Sequence, residues 1–182
     1  MKRIYSLIYF LILVLSAYSQ TTPAAAGVSF GESYEQCKET LDVRFNNGKE
    51  SYQLTANELS YRNIQFGGTS FDYVDFDFQA TGGQSRLCKI TFVSRFNLSD
   101  SKYAKGQRDK LFATFREKYE FRWDGVNDDG YAYYVLGHNP KEPEDGLIVI
   151  ETWKGRSNGG EMFLWTSLTY GPVYMVDVKD EI

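Results

Sequence analysis

Among the side-chain types that covalent or acid–base chemistry uses, cysteine and histidine are the rarest in this sequence, at Cys37, Cys88 and His138. They are the only cysteines and the only histidine of the chain. A thiolate nucleophile needs a positive and accessible setting, whereas Glu35 and Glu39 flank Cys37. His138 ends a strand-like stretch with no catalytic motif around it, which favours an exposed imidazole over a general base. The sequence therefore predicts a protein that is not an enzyme.

The two cysteines are interpreted as a structural pair. Cys37 falls on the apolar side of a predicted helix, and Cys88 falls on the strand face that carries Ile90 and Phe92. Two cysteines that point into one core are more often paired than free in an oxidising compartment. A Cys37–Cys88 disulfide would stabilise the fold by about 4 kcal/mol in the chain-entropy account. The alternative is two buried free thiols that pack as small hydrophobic groups.

The remaining motifs that bear on chemistry favour structural roles, and no metal site or cofactor is predicted. Segment 124–130, DGVNDDG, is similar to a calcium-binding loop. With Gly130 at the glycine position of such a loop, however, Gly125 replaces the first carboxylate and the closing glutamate is missing. The Gly-Gly pairs lie between strand patterns, which predicts hairpin turns rather than phosphate-binding loops.

The amino terminus has the pattern of a cleavable secretory signal. Residues 1–19 contain a basic tip, an apolar run and the small-residue site Ala17-Tyr18-Ser19. The apolar run is shorter than the roughly 20 residues that a membrane-spanning helix needs, so no integral span is expected after cleavage. The expected location is periplasmic or secreted.

The charge of the chain excludes one class of partner. The net charge of the full sequence is −4, and removal of Lys2 and Arg3 with the signal leaves 18 basic against 24 acidic residues, a mature net charge of −6. Nucleic-acid binding depends on clustered Lys and Arg that release counterions from phosphates, and the sequence has no such cluster. Nucleic acid is therefore not expected as a partner.

The periodicity of apolar residues predicts the elements that hold these side chains. The first helix is expected to begin after Ser33 as its N-cap and to end at Asn46-Asn47-Gly48. The second helix is predicted over 101–121. Strands are predicted by alternation over 52–55, 59–66, 71–79, 86–96, 131–136, 147–153 and 162–170.

These elements predict an α+β fold in which two helices cover one face of an antiparallel β-sheet. The order of helix, strands and Gly-Gly hairpin occurs twice, as two α-β-β-β units would give. The mature chain is expected to have a linker at residues 20–27 and a single domain at 28–182. Its repeat-like halves would be residues 28–96 and 97–176.

The segment from Gly31-Glu32-Ser33-Tyr34 through Phe45, with this order of elements, resembles the BLIP-like and BamE (SmpA/OmlA)-like envelope proteins. The resemblance implies a non-catalytic protein that binds another protein of the cell envelope or outside the cell. Two features depart from the family pattern. The Leu-Gly-x-Pro end of the first helix is replaced by Arg44-Phe45-Asn46-Asn47-Gly48, and the lipoprotein cysteine is missing. No functional residue is carried over from the resemblance.

The partner surface is predicted from the facing of two late strands. If Ile148, Ile150, Leu164 and Leu168 form the core set, four apolar side chains point outward: Val149, Trp153, Phe163 and Trp165. We call these four residues the aromatic patch. Exposed contiguous apolar area and tryptophan are typical of binding surfaces, so a site centred on Trp153 and Trp165 is predicted.

Two alternatives to this site remain open at the level of sequence. A shifted strand register or a loop folded over the patch would place these rings in the core. The exposed Tyr and Trp side chains could also stack on sugar rings, so a glycan is the second partner considered. A hydrolytic enzyme is the third function considered, and one histidine without a nucleophile motif gives it little support.

Overall fold

The computed structural model describes residues 22–46, 51–55, 57–81 and 83–175. The predicted signal peptide, residues 1–19, and its cleavage site lie outside the described residues. Within the described residues the chain forms two α-helices, α1 (Tyr34–Leu41) and α2 (Ser101–Phe115). Short π-helical and 3-10 segments lie at Asp42–Asn46 and Leu98–Asp100.

The strands of the described chain form a small pair and one large sheet. The pair consists of β1 (Thr22–Pro23) and β2 (Ser29–Phe30). The large sheet contains β3 (Ser51–Thr55), β4 (Glu58–Phe66), β5 (Thr69–Thr81), β6 (Gln84–Phe96), β7 (Phe121–Val126), β8 (Ala132–Leu136), β9 (Ile148–Arg156) and β10 (Met162–Tyr170).

The large sheet has the strand order β3-β4-β5-β6-β10-β9-β8-β7, and all of its pairings are antiparallel. The strands that follow α1 form one half, and the strands that follow α2 form the other. The halves meet where β6 pairs with β10, in a register that places Trp165 opposite Arg95 and Leu168 opposite Phe92. The predicted α+β fold with an antiparallel sheet is confirmed.

Both helices pack on the same face of the sheet. The capping box of α1, formed by Ser33 and Gln36, satisfies backbone N–H groups at its first turn. One apolar cluster joins Leu41 of α1 and Leu111 of α2 to sheet residues that alternate along their strands. The sheet residues of this cluster include Val74, Phe76, Ile90, Phe92, Ile148, Ile150 and Leu168.

The second helix is shorter than the sequence predicted. It ends at Phe115, where the backbone N–H groups of Lys118 and Tyr119 both bond to the Phe115 carbonyl and close a turn. Residues 121–126, placed at the end of the helix and in a turn by the sequence analysis, form edge strand β7 against β8. Each helix is therefore followed by four described strands. Four were predicted after α1, and in the second half the pairing of β7 with β8 adds a fourth strand to the three predicted there.

The predicted Cys37–Cys88 disulfide is wrong, since both cysteines are free and buried. The physical reason is a β-bulge in β6. Leu87 pairs with Phe78 and Lys89 pairs with Asp77, so Cys88 is an extra residue between them and Leu87 takes the core position. The Cys88 Sγ donates to the Asp77 carbonyl at 3.3 Å, whereas the Cys37 Sγ donates to Glu32 at 3.7 Å.

Both thiols should therefore be protonated and slow to react. Burial is the main cause that raises the pKa of Cys37 and of Cys88, and Glu32 adds to the effect at Cys37. We expect two free thiols per chain when the protein is denatured without reductant and titrated with Ellman's reagent. The native protein should react much more slowly than free cysteine. Detection of no free thiol in the denatured protein would restore the disulfide.

Candidate functional site

The sheet face opposite the helices, called here the open face, carries the four residues of the predicted aromatic patch. Trp153 and Val149 alternate with buried Ile150 on β9, and Phe163 and Trp165 alternate with buried Leu164 on β10. All four side chains are half-buried. The structure thus places them together on the face where the sequence put them, and their role in binding stays a prediction.

Trp153 and Trp165 form the centre of the patch as directly opposed residues of β9 and β10. The indole N–H of Trp165 donates to the carbonyl of Gly155 at 3.1 Å. A Cβ at position 155 would lie 2.9 Å from the Trp165 Nε1 and 3.3 Å from the Trp153 Nε1. Glycine at this position therefore gives both indoles the space in which they lie.

The aromatic surface continues beyond the patch into the first half of the sheet. The Trp165 ring lies 6.1 Å from Phe163 and 6.5 Å from Tyr73 of β5, centroid to centroid, and is steeply inclined to both. The Arg95 guanidinium of β6 lies 4.8 Å from the Phe163 centroid. The sequence analysis singled out no surface residue of this half of the sheet and so missed Tyr73.

Trp123 was also missed, because its segment was predicted as helix end and turn. It lies on edge strand β7 directly opposite Val135 and is 38% exposed. Val135 faces away from the helices, since its neighbour Tyr134 stacks on Phe112 of α2. All three tryptophans of the chain therefore lie on the open face. A register shift between residues 121 and 123 turns Phe121 toward Phe112 of α2 while Trp123 lies opposite Val135, so alternation alone would not have placed Trp123 on this face.

The open face also holds a desolvated acidic residue in its first half. Asp75 accepts a 2.5 Å hydrogen bond from Ser60 and has Glu58, Asp77 and Lys89 as charged neighbours. Burial raises the pKa of Asp75 from its ordinary 3.8 to about 6, with the Ser60 bond opposing the shift. Asp77 is paired with Lys89 at 2.8 Å. Asp75 is thus a half-buried carboxyl group and not a freely solvated one.

A second half-buried carboxylate lies in the aromatic half of the open face. Glu151 of β9 is directly opposite Ser167 on one side and Tyr133 on the other. Burial alone raises its pKa. Among the described residues, no side chain or backbone group forms a hydrogen bond or an ion pair with its carboxylate.

His138 follows the end of β8, and segment 124–130 joins the end of β7 to β8. His138 is exposed, with its Nε2 3.0 Å from Glu120 and 3.4 Å from the Arg122 guanidinium. Asn127 closes the turn after β7, since it accepts from the backbone of Tyr131 and donates to the Thr152 carbonyl. In the described part of the chain, no three His, Cys, Asp or Glu side chains come together as metal ligands.

Two grooves lie outside the four residues of the aromatic patch, and the smaller one borders the patch through Arg95. The larger, of about 650 Å³, lies between the start of α1 and the β5–β6 hairpin. Three of its polar side chains have partners within the fold, because Ser33 and Gln36 form the capping box and Arg86 donates to the Gly31 carbonyl. The smaller groove, of about 430 Å³, is lined by residues of β4, β5, β6 and α2. Neither groove offers a set of free polar groups comparable to the open face.

Comparisons of the chain with known proteins found no matching protein family, no similar curated protein and no similar solved structure. No helix among the described residues is long and apolar enough to cross a membrane.

Replacement of Asp75 tests whether the open face holds a desolvated carboxylate. The folded chain binds the Asp75 proton more tightly than the unfolded chain, whose pKa is about 3.9. This group therefore stabilises the fold as the pH falls from about 6 to about 4, and that stability is lost as the pH rises through about 6. Asp75→Asn should raise the free energy of unfolding at pH 7 by about 2 kcal/mol. The same variant should also make the free energy of unfolding depend less on pH between pH 4 and 7.

Urea unfolding at several pH values measures this effect, with the exposed Asp128→Asn variant as the matched control. Parallel stability profiles for the wild type and Asp75→Asn would show that Asp75 is solvated after all.

Accessibility of the two central indoles provides a second test. Two variants, each retaining only Trp153 or only Trp165 with phenylalanine at the other tryptophans, should be quenched by acrylamide at intermediate rates. This is expected because both side chains are half-buried on the open face. N-acetyltryptophanamide gives the fully exposed reference. If neither indole is quenched in the monomer, the patch belongs to a covered core and the proposed site is wrong.

Proposed function

We propose that this protein is a non-catalytic, exported binding module that holds a protein partner on its open sheet face. The observation that carries the proposal is the continuous aromatic surface centred on Trp153 and Trp165. Trp, Tyr and Phe are enriched where interfaces concentrate binding energy, and a monomer rarely exposes a contiguous apolar patch without a use for it.

Export to the periplasm or the medium is proposed from the signal-like residues 1–19. The resemblance to BLIP-like and BamE-like envelope proteins supports the same setting, and so does the order of one helix followed by antiparallel strands in each half of the chain. We propose that residues 28–96 and 97–176 are two related units of one domain. The partner is accordingly a protein of the cell envelope or a secreted protein.

The nucleophiles of the described chain give an enzymatic function little support. The thiols of Cys37 and Cys88 are buried, and burial raises the pKa of each. A thiolate nucleophile requires the opposite shift. His138 is exposed beside Glu120 and Arg122, far along the chain from either cysteine.

A glycan is less well matched to the open face than a protein. Sugar rings stack on flat aromatic faces that are free of other rings. The interplanar angles of Trp165 with Phe163 and Tyr73 are 71° and 69°, so these rings form an uneven surface. An uneven surface suits the side chains of a protein partner better than a planar sugar.

Comparative capture tests the function. The exported chain and its Trp153→Ala variant would be incubated with envelope and culture-medium fractions of the source organism, cross-linked and analysed by quantitative mass spectrometry. We expect one protein that is enriched by the wild type and reduced at least about tenfold by Trp153→Ala. Tyr103→Ala is the matched control, because Tyr103 is 71% exposed on α2 and lies on the helix side.

Thermal unfolding of each variant separates lost binding from lost folding. Equal capture by the wild type and a folded Trp153→Ala protein would contradict the proposed surface. Enrichment of a polysaccharide in place of a protein would favour the glycan alternative.

A further inference from the structure

Glu151 lies in the middle of the aromatic half of the open face, and no described residue acts as its counterion. Its neighbours on the same strand and face are Val149 and Trp153, and its directly opposite neighbours are Ser167 and Tyr133. Directly opposite residues have Cβ atoms about 5 Å apart, so Ser167 and Tyr133 start next to Glu151. The Tyr133 ring extends over Gly125 of β7, and the indole nitrogens of Trp153 and Trp165 lie near Gly155. Ser167 is 1% exposed, so the sheet surface on the β10 side of Glu151 is closed to solvent.

The basic residues of the open face are placed or engaged elsewhere. Arg95 lies against the Phe163 ring at 4.8 Å, and Lys89 is paired with Asp77 at 2.8 Å. Arg62 lies on β4, four strands away from β9 in the sheet order. Burial is the single cause of the raised pKa of Glu151, in agreement with the lack of a cation beside it among the described residues.

A half-buried carboxylate with no partner reduces the stability of the fold unless something else uses it, because desolvation disfavours its charged form. Glu151 is only partly buried, so a group from outside can reach it. The fold therefore keeps an accessible carboxylate at a strand position next to Trp153 and directly opposite Tyr133.

We propose that Glu151, flanked by Trp153 and Trp165, is the receptor for an arginine side chain of the protein partner. This inference rests on the proposed function and specifies the chemistry of the partner. The planar guanidinium can bond a carboxylate with two parallel N–H groups and can stack on an aromatic ring, and Glu151 and its neighbours provide both kinds of group. Exclusion of water by the surrounding rings strengthens the pair, as at the centre of protein interfaces.

The charge of the chain agrees with this assignment. The sequence without residues 1–19 has 18 basic and 24 acidic residues, so a partner that presents a basic side chain is attracted and an acidic partner is repelled. Lysine would form the ion pair but lacks the planar fork, so arginine is the better fit.

A small probe tests the receptor without knowledge of the partner. The three tryptophans give three indole N–H signals in a ¹H–¹⁵N NMR spectrum. Titration with N-acetyl-arginine amide should shift the Trp153 and Trp165 signals in a saturable way and leave the Trp123 signal nearly unchanged. N-acetyl-citrulline amide, which has nearly the same shape and no charge, should bind at least about tenfold more weakly.

The variant Glu151→Gln keeps the size of the side chain and removes the charge. It should weaken arginine-amide binding about tenfold, while Glu161→Gln, at an exposed position of the β9–β10 hairpin, should leave binding unchanged. Equal shifts with the citrulline probe, or unchanged binding by a folded Glu151→Gln protein, would overturn the proposal. Saturable shifts with maltotriose or chitotriose and none with the arginine probe would also overturn it and favour a glycan.

The capture experiment separates this inference from the proposed function. If Trp153→Ala loses the captured protein and Glu151→Gln retains it at the wild-type level, the surface is correct and the arginine receptor is wrong. If neither variant loses the captured protein, the proposed function itself fails. If Trp153→Ala and Glu151→Gln both lose the captured protein and Glu161→Gln retains it, the result supports both the proposed function and the arginine receptor.

Discussion

The pairing of β6 with β10 is the contact on which the rest of this structure depends. It joins the strands that follow α1 to the strands that follow α2, and seven residue pairs from Leu164↔Phe96 to Tyr170↔Ile90 hold it in register. Both strands are covered on both faces at their centre, where Val93, Ser94 and Ser167 are buried. A shift of one residue in this pairing would exchange the core set and the open-face set, so the buried Leu168 and Phe92 fix which side the aromatic rings occupy.

The helix side shows how the buried polar groups of these central strands are satisfied. Thr166 lies within 3.0 Å of the hydroxyl of Thr152 and 3.2 Å of the Ala104 carbonyl of α2. The side chain of Gln107, also on α2, donates to Ser94. These bonds tie α2 to the seam between the halves, because a buried hydroxyl without a partner would destabilise the fold. The helix is thus anchored where the two halves meet.

The open face differs, because not every carboxylate on it has a hydrogen-bond donor or an ion-pair partner among the described residues. Asp75 has Ser60 as its hydrogen-bond donor, and Asp77 has Lys89 as its ion pair. Glu151 lies among aromatic side chains with neither kind of partner in the described part of the chain. Partial burial weakens the hydration of this carboxylate, so a charge pair formed there would be stronger than one formed in bulk water.

The sequence by itself determined the class of the fold, the capped start of α1 and the outward facing of Val149, Trp153, Phe163 and Trp165. Alternation along a single strand and the chemistry of a helix cap are local properties, so they can be read without knowledge of the neighbours. Tertiary structure decided the rest. Pairing with β8 turned residues 121–126 into a strand and brought Trp123 to the open face. A bulge in β6 gave the core position to Leu87 and not to Cys88, and both thiols are free. The strand order brought Tyr73 and Glu151 to the open face. These features depend on which distant segments become neighbours, and no local pattern of residues specifies that.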